Sequence, residues 1–109
     1  MKLVSCIFRP EKLEEVVTAL QSVVSGMTVA EVRGHGRQRG QPLIYRGVEY
    51  DVTLLPKALV QIVTEDNRVD DIVQVLIKAA RTGRIGDGRI FIHAVEEVYH
   101  IRSGFMDIG

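Results

Sequence analysis

Leu13-Glu14-Glu15-Val16-Val17, with Leu20 one turn further on, returns 56 residues later as Val69-Asp70-Asp71-Ile72-Val73 with Leu76. In each copy the apolar residues fall at i, i+3, i+4 and i+7, which is one face of a helix. The paired carboxylates sit in the first turns, where the helix dipole favours negative charge. Val23 or Val24 continues the first stripe and Ala80 the second. Each helix lies between β-favourable apolar stretches. Leu3 to Phe8 precedes the first helix, broken off by Arg9-Pro10, and Met27 to Val32 follows Ser25-Gly26. Leu59 to Thr64 precedes the second helix, and Arg89 to Val95 follows a glycine-rich turn. The chain reads as an internally duplicated βαβ unit, with Val98 to Arg102 as a short extended tail.

Two such units in series predict an α+β, ferredoxin-like βαββαβ sandwich, a single domain over 1–109 with both helices on one face of an antiparallel sheet. The other face then has no cover from within the chain. The third and fourth strands are apolar at nearly every position (Leu59-Val60, Ile62-Val63; Ile90-Phe91-Ile92, Ala94-Val95), as strands buried on both faces are. The expected cover is further copies of the chain in a closed homo-oligomer. Between Gly34 and Lys57 periodicity is lost, and Gly34, Gly36, Gly40, Gly47, Pro42 and Pro56 punctuate the stretch. A loop that long in a small domain is expected to serve a partner.

Fourteen Lys and Arg balance fourteen Asp and Glu in these 109 residues, so no whole-molecule field draws the chain to nucleic acid or to an anionic membrane. No apolar run approaches the roughly 18 to 20 residues that span a bilayer, and the first residues lack a signal-peptide core. The expectation is a cytoplasmic protein without membrane insertion. Cys6 alone makes neither an internal disulfide nor a redox pair and is expected in the core; no redox cofactor is expected. No Ser, His and acid form a nucleophile motif, and His35, His93 and His100 are too scattered for a metal site, with His93 expected to be partly buried. The chain is therefore not read as an enzyme. Nor is it read as a nucleic-acid binder: a sheet that stacks bases needs exposed aromatics, and Phe8, Phe91 and Tyr99 are expected in packed strands.

Charge is nonetheless uneven locally. Arg33, His35, Arg37, Arg39 and Arg46 share a glycine-rich stretch without a carboxylate among them, and Lys78, Arg81, Arg84 and Arg89 share another against Asp87 alone. Thr82-Gly83-Arg84-Ile85-Gly86-Asp87-Gly88-Arg89 combines glycines that permit close backbone approach with cationic side chains, a composition suited to a polyphosphate. A helix C-cap followed by a turn into the next strand explains the same glycines. The segment is not a Walker A loop, since it precedes a strand and lacks the Lys-Ser/Thr ending.

Five blocks in order carry a resemblance: Gly26-Met27-Thr28-Val29, Gly34-His35-Gly36-Arg37-Gln38-Arg39-Gly40, Tyr45-Arg46-Gly47-Val48-Glu49-Tyr50, Leu55-Pro56-Lys57 and Ala80 through Phe91. Together they resemble the P-II nitrogen-regulatory signal proteins over nearly the whole chain. The resemblance implies a cytoplasmic homotrimer that binds ATP or ADP in clefts between subunits and, with Mg-ATP, 2-oxoglutarate. Implied around the nucleotide are Gly36, Arg37, Gln38, Gly86, Asp87, Gly88 and Arg89, with Thr28, Val63 and Arg102 contributing to the same cleft. Arg9, Gln38, Arg39 and Lys57 match the 2-oxoglutarate positions, and the Gln38 amide oxygen is the implied magnesium donor.

The loop 34–57 is implied to bind partners, either an ammonium channel through Arg46 or nitrogen-metabolism enzymes, with Tyr45 and Tyr50 also on it. Tyr50 matches a tyrosine that is uridylylated in many bacterial members. Val48 stands where some members carry a phosphorylated serine. Arg89 replaces a usual lysine and His100 a usual arginine, changes that bear on phosphate geometry and charge. Beside a sensor of ATP and ADP stand two alternatives: a specialised relative that reads ADP or AMP with another small anion and controls a different client, and a slow nucleotide hydrolase.

Overall fold

A computed structural model describes residues 1–35, 43–45, 48–50 and 54–107. In chain order the elements are β1 (Lys2–Phe8), α1 (Leu13–Gln21), β2 (Thr28–Gly34), β3 (Leu43–Tyr45), β4 (Val48–Tyr50), β5 (Leu55–Thr64), α2 (Val69–Ala80) and β6 (Gly88–Ala94). A 3-10 turn leads into each helix, Pro10–Lys12 before α1 and Asp66–Arg68 before α2. The turns repeat at the same 56-residue offset as the helices, so the duplication extends to local geometry. No helix among the described residues is long and apolar enough to cross a membrane.

The main sheet runs β2-β5-β1-β6 with every pair antiparallel, the arrangement expected of the ferredoxin-like sandwich. Alternation along its two central strands divides the faces. Val4, Cys6 and Phe8 of β1 and Ala58, Val60 and Ile62 of β5 are buried under Val16 and Leu20 of α1 and Ile72, Leu76 and Ala80 of α2. Each large side chain placed there contributes about 1.5–3 kcal/mol of transfer free energy. The thiol of Cys6 is pushed up to about 11 by that burial, so it stays protonated and inert.

The opposite face carries Leu3, Ser5 and Ile7 beside Leu59, Gln61 and Val63, with Phe91 and His93 on the flanking strand. It has no helix over it. Val63 is 46% exposed and Phe91 43%, so this side is open within one chain, while the helix side is buried along the central strands β1 and β5 and open at the edge strands, where Val29 and Ile92 are exposed. The apolar second side is the bare face that the sequence pattern implied.

Several expectations need correction. His93 is exposed, because it lies on the uncovered face of an edge strand whose Ile92 and Ala94 are exposed too, and Tyr99 is 59% exposed beyond the sheet. The first helix ends at Gln21, before Val23 and Val24; both valine amides instead donate to the Leu20 carbonyl, and the side chains still pack on the core. The fourth main-sheet strand begins at Gly88 and ends at Ala94. The stretch 34–57 is not without regular structure: Leu43–Tyr45 and Val48–Tyr50 pair antiparallel.

Likewise β5 starts at Leu55 rather than Leu59, through Pro56. β1 ends at Phe8 opposite Ala58, so at Pro56 only β2 lies alongside, and a residue without an N–H is tolerated there. The tail is not simply extended. Tyr99 bridges Met106, and Ile101 to Ser103 turn the chain back, with the Gly104 amide donating to the His100 carbonyl.

Leu76 is fully buried between α2 and the sheet. Leu76→Ala should therefore cost about 2–5 kcal/mol, measured as a lowered denaturant midpoint followed by circular dichroism. A loss below about 0.5 kcal/mol would show that the helix face is not the core.

Candidate functional site

β1 and β6 begin and end in step, with Phe8 opposite Gly88, so the chain leaving β1 and the segment entering β6 meet at one end of the sheet. Lys57, near the start of β5, lies at that end too, opposite Val32. A cleft of about 680 Å³ opens there, lined by Gly34, His35, Leu55, Lys57, Arg84 to Arg89, Ile7 and Phe91. The two basic glycine-rich segments thus meet, through Gly34 and His35 of the first and Arg84 to Arg89 of the second. Gly83 has φ +87°, Gly86 +99° and Gly88 +115°, left-handed conformations that suit glycine and fold residues 82–88 tightly. At Gly88 the reason is also steric: a Cβ would stand 1.8 Å from the Ile7 carbonyl oxygen.

Hydrogen bonds converge on Asp87. Its carboxylate accepts from Arg9 Nε at 3.0 Å, from the Thr82 amide at 2.9 Å, from the Gly83 amide at 2.8 Å and from the Thr82 hydroxyl. Arg9, 6% exposed, also donates from Nη2 to the Ile85 carbonyl at 2.6 Å, and Lys57 Nζ donates to the Gly86 carbonyl at 3.0 Å. Burial alone would raise the Asp87 carboxyl, yet the Thr82 hydroxyl and amide, the Arg9 guanidinium and the Gly83 amide outweigh it. They hold the group well below the usual carboxylate range. Burial first, and the Arg9 charge second, hold the Lys57 ammonium below the usual lysine range, against the pull of Glu11 and Asp87.

The Asp87 charge is thereby neutralised internally, whereas Arg84 and Arg89 are exposed and have no carboxylate partner among the described residues. The cleft is a local concentration of positive charge in a chain of zero net charge. Of the residues expected at the nucleotide, Gly86, Asp87, Gly88 and Arg89 line it, and Lys57 of the 2-oxoglutarate set stands beside them. Arg9 braces the segment from behind.

Gly36, Arg37, Gln38, Arg39 and Arg46 lie outside the described residues, and with Gln38 the implied magnesium donor. Tyr45 and Tyr50 are placed by backbone alone, opposite Val48 and Leu43 in the β3–β4 hairpin. Thr28 and Val63 are not brought to this cleft. Val63 pairs with Leu3 at the far end of the sheet, six residues along β5 from Lys57, or about 20 Å. Thr28 pairs with Gln61, between the two ends, and Arg102 is on the terminal turn.

Sequence reasoning did not single out Thr82, whose hydroxyl bonds Asp87 and accepts from the Arg84 amide at 3.1 Å, nor the Ile85 carbonyl. A Thr-Gly pair five residues before an acid in a tight turn was the available signal.

The sequence profile of the nitrogen regulatory protein P-II family matches residues 1–105. The chain is 58% identical over 105 residues to a nitrogen regulatory protein P-II of Microchaete diplosiphon, covering 95% of this chain and 94% of that protein. It is 53% identical to nitrogen regulatory protein P-II 2 of Methanothermobacter thermautotrophicus, covering 95% and 91%. With the nitrogen regulatory protein GlnK of Escherichia coli it shares 46% identity over 108 residues, covering 98% and 96%.

Two outcomes test this geometry. Gly88→Ala should cost about 2 kcal/mol or more in thermal or denaturant unfolding, because backbone must move, whereas Gly83→Ala, with open space around it, should cost about 1 kcal/mol from its positive φ alone. The depressed Asp87 carboxyl contributes stability above its unfolded value of about 3.9 that is lost only as pH falls through its lower folded value. The Thr82 and Gly83 amide NMR shifts should therefore stay put from pH 7 to pH 4; a midpoint near 4 would contradict the clasp.

Proposed function

The chain belongs to the nitrogen regulatory protein P-II family and is a nitrogen-regulatory signal protein, and we propose that it works by binding ATP or ADP in the cleft between Lys57 and the segment Arg84 to Arg89. The observation that carries this reading is charge placement. Lys57, Arg84 and Arg89 surround the cleft while its acid, Asp87, is turned onto Arg9 and backbone amides. A polyphosphate meets cations and glycine backbone there, and the one carboxylate lining the cleft among the described residues is already engaged by four donors.

The active unit is a cytoplasmic homotrimer. Thr28, Val63 and Arg102 reach a nucleotide in this cleft only from a neighbouring copy, since Val63 lies about 20 Å along the sheet from Lys57. Packing the helix-free faces together covers Val63 and Phe91 and brings a neighbour's residues toward the cleft mouth. With Mg-ATP bound, 2-oxoglutarate joins through Lys57, Arg9, Gln38 and Arg39, its two carboxylates drawn by cations. Gln38 supplies the magnesium ligand.

Differential contacts of ADP and ATP bias the loop 34–57, with its β3–β4 hairpin, between forms that an ammonium channel or nitrogen-metabolism enzymes distinguish. Arg46 and Tyr45 act at that contact, and Tyr50 is the uridylylation acceptor. The protein performs no catalysis of its own.

A second reading has its own observation. His100 Nε2 lies 3.3 Å from Asp107 Oδ2, so whatever charge it carries is directed at the terminal turn rather than at a phosphate. That favours a specialised sensor of ADP or AMP with another small anion.

Isothermal titration with ADP, Mg-ATP, and Mg-ATP plus 2-oxoglutarate separates these readings. Binding of each, with 2-oxoglutarate taken up only beside Mg-ATP, is the expected result; nucleotide binding without that synergy transfers support to the specialised sensor. No heat at millimolar nucleotide defeats both. Arg89→Ala should weaken ATP about tenfold or more while light scattering still reports three subunits, and an unchanged affinity would place the phosphates elsewhere.

A further inference from the structure

Asp87 stands in the middle of the proposed phosphate segment, yet both its oxygens are engaged. Oδ1 accepts from Arg9 Nε and the Thr82 hydroxyl, and Oδ2 from the Thr82 and Gly83 amides. A carboxylate offers about four acceptor sites, and four donors meet them. Arg9 is held on the same segment a second time, through the Ile85 carbonyl. The clasp therefore joins the end of β1 to the turn before β6 across 78 residues of sequence.

We propose that Asp87 is a positioning residue and not a ligand contact: by gathering Arg9, Thr82 and Gly83 on one carboxylate, it sets the path of Gly86, Gly88 and Arg89. Its effect on binding rests on the nucleotide reading above; its effect on the turn does not. The alternative roles differ in sign. A carboxylate facing phosphates as a bare charge repels them, so Asp87→Asn would tighten ATP. A carboxylate ligating magnesium would show its loss only with the metal present. A positioning carboxylate shows the loss with and without it, and Arg9, its partner, shows the same loss.

The test is ATP titration of wild type, Asp87→Asn, Arg9→Gln and the double variant, in EDTA and in magnesium and without 2-oxoglutarate. Amide hydrogen exchange at Thr82 and Gly83 is followed in the nucleotide-free proteins. Both single variants should weaken ATP about tenfold in either condition, and the double variant about as much as either alone, because one clasp is broken in each case. Exchange at both amides should accelerate. Thr82→Ser should keep wild-type behaviour and Thr82→Val should not, and this pair supplies the same readout if Asp87→Asn fails to fold.

Unchanged exchange in Asp87→Asn, tightened ATP, or a loss confined to magnesium would overturn the proposal. Should wild type bind no ATP while Asp87→Asn still accelerates exchange, the nucleotide reading falls and the positioning role stands.

Discussion

β1 is paired along its whole length on both sides, with Lys2 to Phe8 facing Thr64 to Ala58 on one edge and Ala94 to Gly88 on the other. This double register is the constraint from which the rest follows. It ends at Phe8, so Arg9 emerges beside the turn that enters β6 and close to the start of β5. Gly88 comes so near Ile7 that no side chain fits between them, and a slip of one residue would also turn the core set Val4, Cys6 and Phe8 to the other face. Among the described residues, the placement of Arg9 and Arg89 at the cleft follows from that pairing, and Lys57 from the continuation of β5 along β2.

Charges in the molecule differ in value according to where the fold puts them. Lys12 and Glu15 make an exposed pair one turn apart, worth about 0–1 kcal/mol at most. The Arg9–Asp87 pair is partly buried and is joined by further donors from Thr82 and Gly83, so breaking it leaves the buried Arg9 guanidinium without its carboxylate. The same clasp removes a negative charge from the cleft without removing the residue. A chain with no net charge thereby acquires a locally positive surface, with Lys57 beside Arg9 held below the usual lysine range by burial.

The uncovered sheet face links the proposed assembly to the proposed site. One subunit buries a single apolar layer beneath α1 and α2 and leaves Val63 and Phe91 half exposed. The residues expected at one ligand are split between two ends of the same sheet, and the same open face that wants covering is the one on which Thr28 and Val63 lie. Covering it with further copies meets both demands. That economy is why the proposed trimer and the proposed site are one hypothesis.

The fold class was legible in the sequence because helix and strand periods are local. The repeated Leu13/Val69 pattern placed both helices, and alternation placed the core strands. The glycines and arginines of 82–89 marked a segment of unusual composition, and the fold makes it a wall of the cleft. Short-range signals also misled: Pro56 hid the first residues of β5, and the triplets of the β3–β4 hairpin were too short to register. What only the tertiary structure decided is which way Asp87 turns and what Arg9 holds. Those two residues are 78 positions apart, and their meeting depends on β1 and β6 ending in step, a relation that no window of neighbouring residues contains.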